Sequence, residues 1–127
     1  MAAGEPFSAS ERSRIETAID NATRDTGVPF SVFVGDVDGG DQPGGARRVA
    51  EMLHAGLGDL APQAVLVLVA PGQRKIEIVT GASVRGRVDD RACALATASM
   101  TSSFTGGDIP GGVAEGLRQL ASAARRG

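Results

Sequence analysis

Apolar residues recur along this chain with two different periods, and the switches between them mark out helices and strands. Ile15, Ala18, Ile19 and Ala22 fall at helical spacing behind Ser8 and Glu11, a Ser-x-x-Glu pair in which each side chain can accept from the other's free backbone N–H. The spacing predicts a first helix that Gly27, Val28 and Pro29 bring to an end. Phe30 to Val34 then reads as a buried strand stopping at Gly35-Asp36, and the following DVDGGDQPGG is too rich in Gly and Asp for regular structure. From Ala46 the apolar positions Val49, Met52, Leu53 and Leu57 return at i, i+3, i+4 and i+8, predicting a second helix to about Gly58, with Asp59 to Pro62 turning the chain.

Val65 to Val69 are continuously apolar and mostly β-branched, as a central strand covered on both faces would be. Lys75 to Thr80 alternate instead, like a strand nearer an edge, and Pro71-Gly72-Gln73 between the two is a hairpin turn. Beyond Gly81 an arginine-rich connection leads to an alanine-rich helix from Asp90 to Phe104, a Gly-Gly break, and a closing helix from Val113 to Arg126 with Val113, Leu117, Leu120 and Ala124 inward. This order predicts an α/β fold: a three-layer α/β/α sandwich whose small mixed sheet, one βαβ crossover plus a hairpin, is flanked by about four helices. The expectation is one domain over residues 1–127, with 1–7 a flexible lead-in.

The topology decides which loops can meet. One end of the sheet gathers Asp36, Asp38, Asp41 and Asp108, and the other gathers Asp59, Arg85, Arg87, Asp89 and Asp90. Carboxylates and loop carbonyls are the hard oxygen donors that Ca²⁺ and Mg²⁺ prefer, so the first set is the candidate metal site. A plainer account has Asp36 and Asp41 starting turns and Asp108 capping the last helix ahead of Pro110. The opening D-V-D-G-G-D resembles an EF-hand loop, but Arg47 stands where a bidentate glutamate is required. Asp36-Val37-Asp38 after a strand resembles the nucleophile motif of haloacid-dehalogenase-type phosphatases, yet Gly40 replaces Thr or Val and Pro71 follows the next strand where Ser or Thr should be. Thr80 to Gly86 resembles the glycine-rich turn of short-chain dehydrogenases, but it follows the third strand and its glycines are misspaced, which argues against a dinucleotide site.

Arg85, Arg87, Asp89 and Asp90, with Arg91 beside them, form the candidate ligand- or partner-binding set for a phosphate or an acidic group; the plainer account is a solvated turn with an aspartate N-cap. His54, near a helix C-terminus, fits a structural role, and Cys93 in an alanine-rich helix fits a small packed side chain.

Composition narrows the partners. A formal net charge of −2, no Trp, no Tyr and four Phe offer neither a broad positive field nor stacking surfaces, which excludes nucleic acid as an expected partner. Lys75 is the only lysine, so Schiff-base chemistry has one position available. A lone cysteine and a first fifteen residues without an apolar core point to a reducing, cytoplasmic compartment. No transmembrane segment is expected, because the longest apolar run stops at Pro71-Gly72, well short of the ~20 residues a spanning helix needs.

The strand Phe30 to Val34, the block IEIVTGASVRGRVDDRACALA, and the late FTGGDIPGGVAEGLRQL with its Phe104, Gly107, Asp108, Gly112 and Leu117 are three segments that together resemble the TPM domain family. The last five positions match that family's F-x-x-G-D and glycines, and the family includes a thylakoid-lumen acid phosphatase and bacterial membrane-associated relatives. Within the group the chain is most similar to a short actinobacterial branch consisting of the domain alone. The usual signal peptide and trailing membrane helix are not seen, and the aspartate-rich loop replaces a longer connection. The resemblance implies the same sandwich, and it implies divalent-ion binding and phosphatase activity mapped onto Asp36, Asp89, Asp90 and Asp108.

No complete nucleophile or two-metal ligand set appears in the sequence, so none of these residues is assigned as catalytic. The leading expectation is a non-enzymatic binding or regulatory module that docks on a protein partner, membrane-associated partners included, with or without bound Ca²⁺ or Mg²⁺. The alternative is a metal-assisted phosphatase acting on phosphomonoesters.

Overall fold

The computed structural model describes residues 2–3 and 7–126. Helix α1 (Ala9–Thr26) starts where the capping pair predicts: Glu11 N donates to Ser8 Oγ at 3.1 Å and Ser8 N to Glu11 Oε1 at 2.9 Å. Strand β2 (Phe30–Val34) follows, then α2 (Gly45–Ala55), β3 (Val65–Ala70), β4 (Lys75–Thr80), α3 (Asp90–Thr105) and α4 (Ile109–Arg126). A two-residue β1 (Ala2–Ala3) opens the chain. The sheet runs β1-β2-β3-β4, with β2 parallel to both β1 and β3 and β4 antiparallel to β3. Crossover through α2 and hairpin after β3 are thus both present.

Every residue of β3 is buried, and the alternation of its side chains divides the core. Val65, Val67 and Val69 face α1, α3 and α4, together with Val32, Val34 and Ile78 of the flanking strands. Leu66, Leu68 and Val79 face α2 on the other side. The result is the expected three-layer sandwich, with three helices on one face and one on the other.

Two helices differ from the periodic reading. In α2 the side chains against the sheet are Ala46, Ala50 and Leu53, whereas Met52 is 67% exposed, and the helix ends at Ala55 before a 3-10 segment at Gly58–Gln63. Small residues let this helix sit close to the leucines below it, and the larger apolar stripe drew the expected face a position away. Helix α4 begins at Ile109 and not at Val113, because the Asp108 carboxylate accepts from Gly111 N at 2.9 Å and caps it. Its glycines, poor helix formers in isolation, are needed for close packing. A methyl on Gly112 would lie 2.6 Å from Phe104 Cε1, and one on Gly116 2.8 Å from Met100 Cγ.

The connection from β4 to α3 is pinned by Val84 and Val88, both buried. Of the flexible lead-in expected at 1–7, residues 1 and 4–6 lie outside the described residues, Ala2 and Ala3 pair with Phe33 and Val34, and Phe7 packs against the larger core cluster.

Replacing Leu68, fully buried under α2, with Ala is expected to cost about 2–5 kcal/mol in urea unfolding. A loss below that range would mean the α2 layer can collapse onto the gap. Gly81→Ala is expected to cost at or above the upper end of about 1–3 kcal/mol, because the added methyl would overlap the carbonyl oxygens of Ala61 and Pro62. Unchanged stability by the same measurement would show that this backbone crossing is looser than it looks.

Candidate functional site

At the end of the sheet where β2 and β3 finish, the aspartates occupy separate structural posts. Asp36 Oδ1 accepts from Gly72 N at 3.0 Å, and Gln73 holds Val37 from both sides, accepting from its N–H at 3.0 Å and donating to its carbonyl at 2.7 Å. The loop after β2 is thereby tied to the β3–β4 turn. Asp108 caps α4 and lies 3.7 Å from Arg14 of α1, while Asp38 and Asp41 are exposed on the glycine-rich loop. Among the described residues no three carboxylate, imidazole or thiol groups are gathered into a set that could hold a metal ion. The expected convergence of Asp36, Asp38, Asp41 and Asp108 is therefore not formed as a cluster; backbone amides and an arginine take up the carboxylates of Asp36 and Asp108.

The second set divides. Asp89 Oδ1 accepts from Ala92 N at 2.9 Å as the N-cap of α3, and Arg87 Nη1 reaches the Ala124 carbonyl at 3.3 Å, tying the connection to the last turns of α4. Arg85 and Asp90 instead line a groove between β4 and α3, with a cavity volume of about 420 Å³. It shares Ile76, Glu77 and Thr97 with a second hollow of about 760 Å³ that runs on past Arg74, Lys75 and Thr101 to Phe104. One continuous furrow therefore follows the outer edge of the sheet.

Backbone chemistry makes this edge distinctive. Among the described residues strand β4 has a partner on one side only, so half of its amide and carbonyl groups face outward. Arg85 Nη2 donates to the Thr80 carbonyl at 2.9 Å. Arg47 comes round from α2, on the opposite face of the sheet, and its Nη1 donates to the Ile78 carbonyl at 2.7 Å. The same guanidinium lies 3.6 Å from Glu77 and 3.4 Å from Glu51. Arg47 was visible in the sequence only as the residue that spoils an EF-hand. Its i,i+4 spacing to Glu51 foretells a helix-surface pair but not a contact thirty-one positions along the chain. His54 is structural, as expected, with Nε2 3.1 Å from the Ala64 carbonyl.

Cys93 sits in the wall of the groove. Burial pushes its thiol up from the ordinary value; Asp90 pushes it further in the same direction, Arg47 pulls it down, and Asp89 raises it again. Removing a negative neighbour must lower the thiol's pKa and enlarge the thiolate fraction, and removing the positive one must do the reverse. At pH 8, Asp90→Asn is accordingly expected to speed alkylation of Cys93 by iodoacetamide and Arg47→Gln to slow it, followed by intact mass. Equal rates in the two variants would mean that these charges do not reach the thiol.

Comparison with known proteins bears on the fold and the family. The BA42 protein of the psychrophilic bacterium Bizionia argentinensis, known by NMR, superposes with a TM-score of 0.81 at 19% identity, covering 97% of this chain and 84% of that one. The N-terminal domain of the cg2496 protein of Corynebacterium glutamicum gives 0.73 at 18% identity, over 97% of this chain and 78% of that one. At such identities the likeness is one of fold alone. Two uncharacterised proteins of Mycobacterium tuberculosis, from strains CDC 1551 / Oshkosh and ATCC 25618 / H37Rv, are each 30% identical over 117 residues, 92% of this chain. The chain spans 66% of the length of these relatives. Residues 1–121 match the model of one family throughout, and the chain belongs to it: the domain of unknown function DUF5130.

Proposed function

We propose that this domain is a non-enzymatic docking module whose protein partner seats in the furrow between β4 and α3. The observation that carries this reading is the sheet edge itself. Among the described residues strand β4 ends the sheet, its outward carbonyls at Ile78 and Thr80 accept from exposed arginine side chains, and a hollow lies alongside it. A groove between an edge strand and a helix is a recurring place for proteins to receive polypeptide. Arg85 and Asp90, two of the residues expected from sequence to contact a partner, stand in it.

The resemblance to the TPM family would add divalent-ion and phosphatase chemistry at Asp36, Asp89, Asp90 and Asp108. In this chain two of those four cap helices and one closes a loop, so the docking reading accounts for more of the observed geometry. The membrane-associated partner considered from sequence remains within this proposal. Among the described residues no helix is long and apolar enough to cross a membrane.

A photo-crosslinking residue placed at Ala94 or Thr101, both exposed on the groove wall, is expected to yield a discrete protein adduct in cells of the native host. The same residue at Asn21, on the α1–α4 face, should yield none. Adducts of equal strength at all three positions, or none at the groove, would remove the groove as the docking site.

A further inference from the structure

Resting on the docking reading, the geometry points to the occupant: we infer that the partner contributes an acidic, extended segment that adds to β4 as a further strand, displacing the side chains of Arg47 and Arg85 from the edge and taking up their charge. The two arginine contacts identify the open hydrogen-bonding groups. Both backbone groups of a strand residue point to the same side and neighbouring residues alternate, so the carbonyls at Ile78 and Thr80 place the amides and carbonyls of Ile76, Ile78 and Thr80 on the outer edge. Gly81 N, one position on, donates inward to Ala64 O at 2.9 Å, in step with that alternation. Three residues with outward groups match an incoming strand of about five or six residues.

Side-chain cover of an edge differs from backbone cover. A guanidinium N–H satisfies the Ile78 or Thr80 carbonyl, but it leaves the neighbouring amides without a bond from the same group. An arriving strand supplies both an N–H for each carbonyl and a carbonyl for each amide. Arg47 keeps Glu51 and Glu77 within reach when it is released, but Arg85 needs a new acceptor, and a carboxylate on the segment is the natural one, since guanidinium–carboxylate bonds are stronger than guanidinium–amide bonds. Lining charges favour the same sign. Arg47, Arg85, Arg74 and Lys75 stand along the furrow against Glu77 and Asp90, a local excess of cations on a chain whose net charge is −2. Both arginines are exposed, so swinging them off the edge uncovers no buried charge.

The test uses the full chain labelled with ¹⁵N and three acetylated octapeptides: alternating glutamate and threonine, alternating lysine and threonine, and the glutamate peptide N-methylated on alternate residues. The glutamate peptide is expected to shift the amides of Ile76, Ile78 and Thr80 and to slow their hydrogen exchange. The lysine peptide should bind about tenfold more weakly or worse, and N-methylation of the bonding edge should abolish the protection. Arg47→Ala combined with Arg85→Ala, checked for an unchanged melting curve, should bring the two charged peptides toward equal affinity. Absence of β4 protection, an N-methylated peptide that binds as well as its parent, or a charge preference that survives the double variant each overturns strand addition. If groove crosslinks persist in cells while the glutamate peptide leaves the β4 amides unprotected, docking stands and strand addition alone is wrong. Loss of the crosslinks removes both.

Discussion

Strand β3 has no solvent on any side, and this single constraint organises the rest of the molecule. Its valines and leucines alternate between two cores, so both faces must be covered by helices and both edges by strands. A polar residue anywhere in it would leave an unsatisfied group in one of two packed layers. The parallel partner on one side requires a crossover, which α2 supplies, and the antiparallel partner on the other needs only the tight turn at Pro71–Gln73. Helix α2 lies alone on its face, while α1, α3 and α4 share the other. The groove at the outer edge is a by-product of that asymmetry, since β4 is the last strand and α3 reaches it from one face only.

Much of this was legible in the residues. The Ser8–Glu11 cap, the continuous apolar run of β3 and the alternation of β4 are local patterns, each with one dominant physical reading, and the elements they predict are found in place, although burial along β4 rises toward Thr80 and does not alternate. The helix faces were less legible. Met52 fits an apolar stripe as well as Ala50 does, yet Ala50 is fully buried and Met52 is exposed. The start of α4 was obscured by Gly111 and Gly112, whose local preference opposes a helix that packing against Phe104 and Met100 requires.

The site was harder still. Arg85 and Asp90 could be picked out as charged residues in a turn, but what separates them from Arg87 and Asp89 is which backbone groups lie within reach. Arg87 finds the end of α4 and Asp89 finds the first turn of α3, so both are engaged internally. Arg47 is placed beside β4 by the whole crossover, a long-range consequence that no short window of sequence contains. Asp36 and Asp108 show the opposite case, where carboxylates that the topology suggests should converge are engaged instead by ordinary turn and cap hydrogen bonds.

The guanidinium cover of β4 also bears on how the molecule treats copies of itself. An unguarded terminal strand invites the same strand of a neighbouring copy, and runaway pairing of that kind is how sheet proteins precipitate. Two β4 edges approaching one another here would bring Arg47 and Arg85 of both copies together, like charge near like. Pairing between copies at this edge therefore carries a like-charge cost that an acidic strand does not meet.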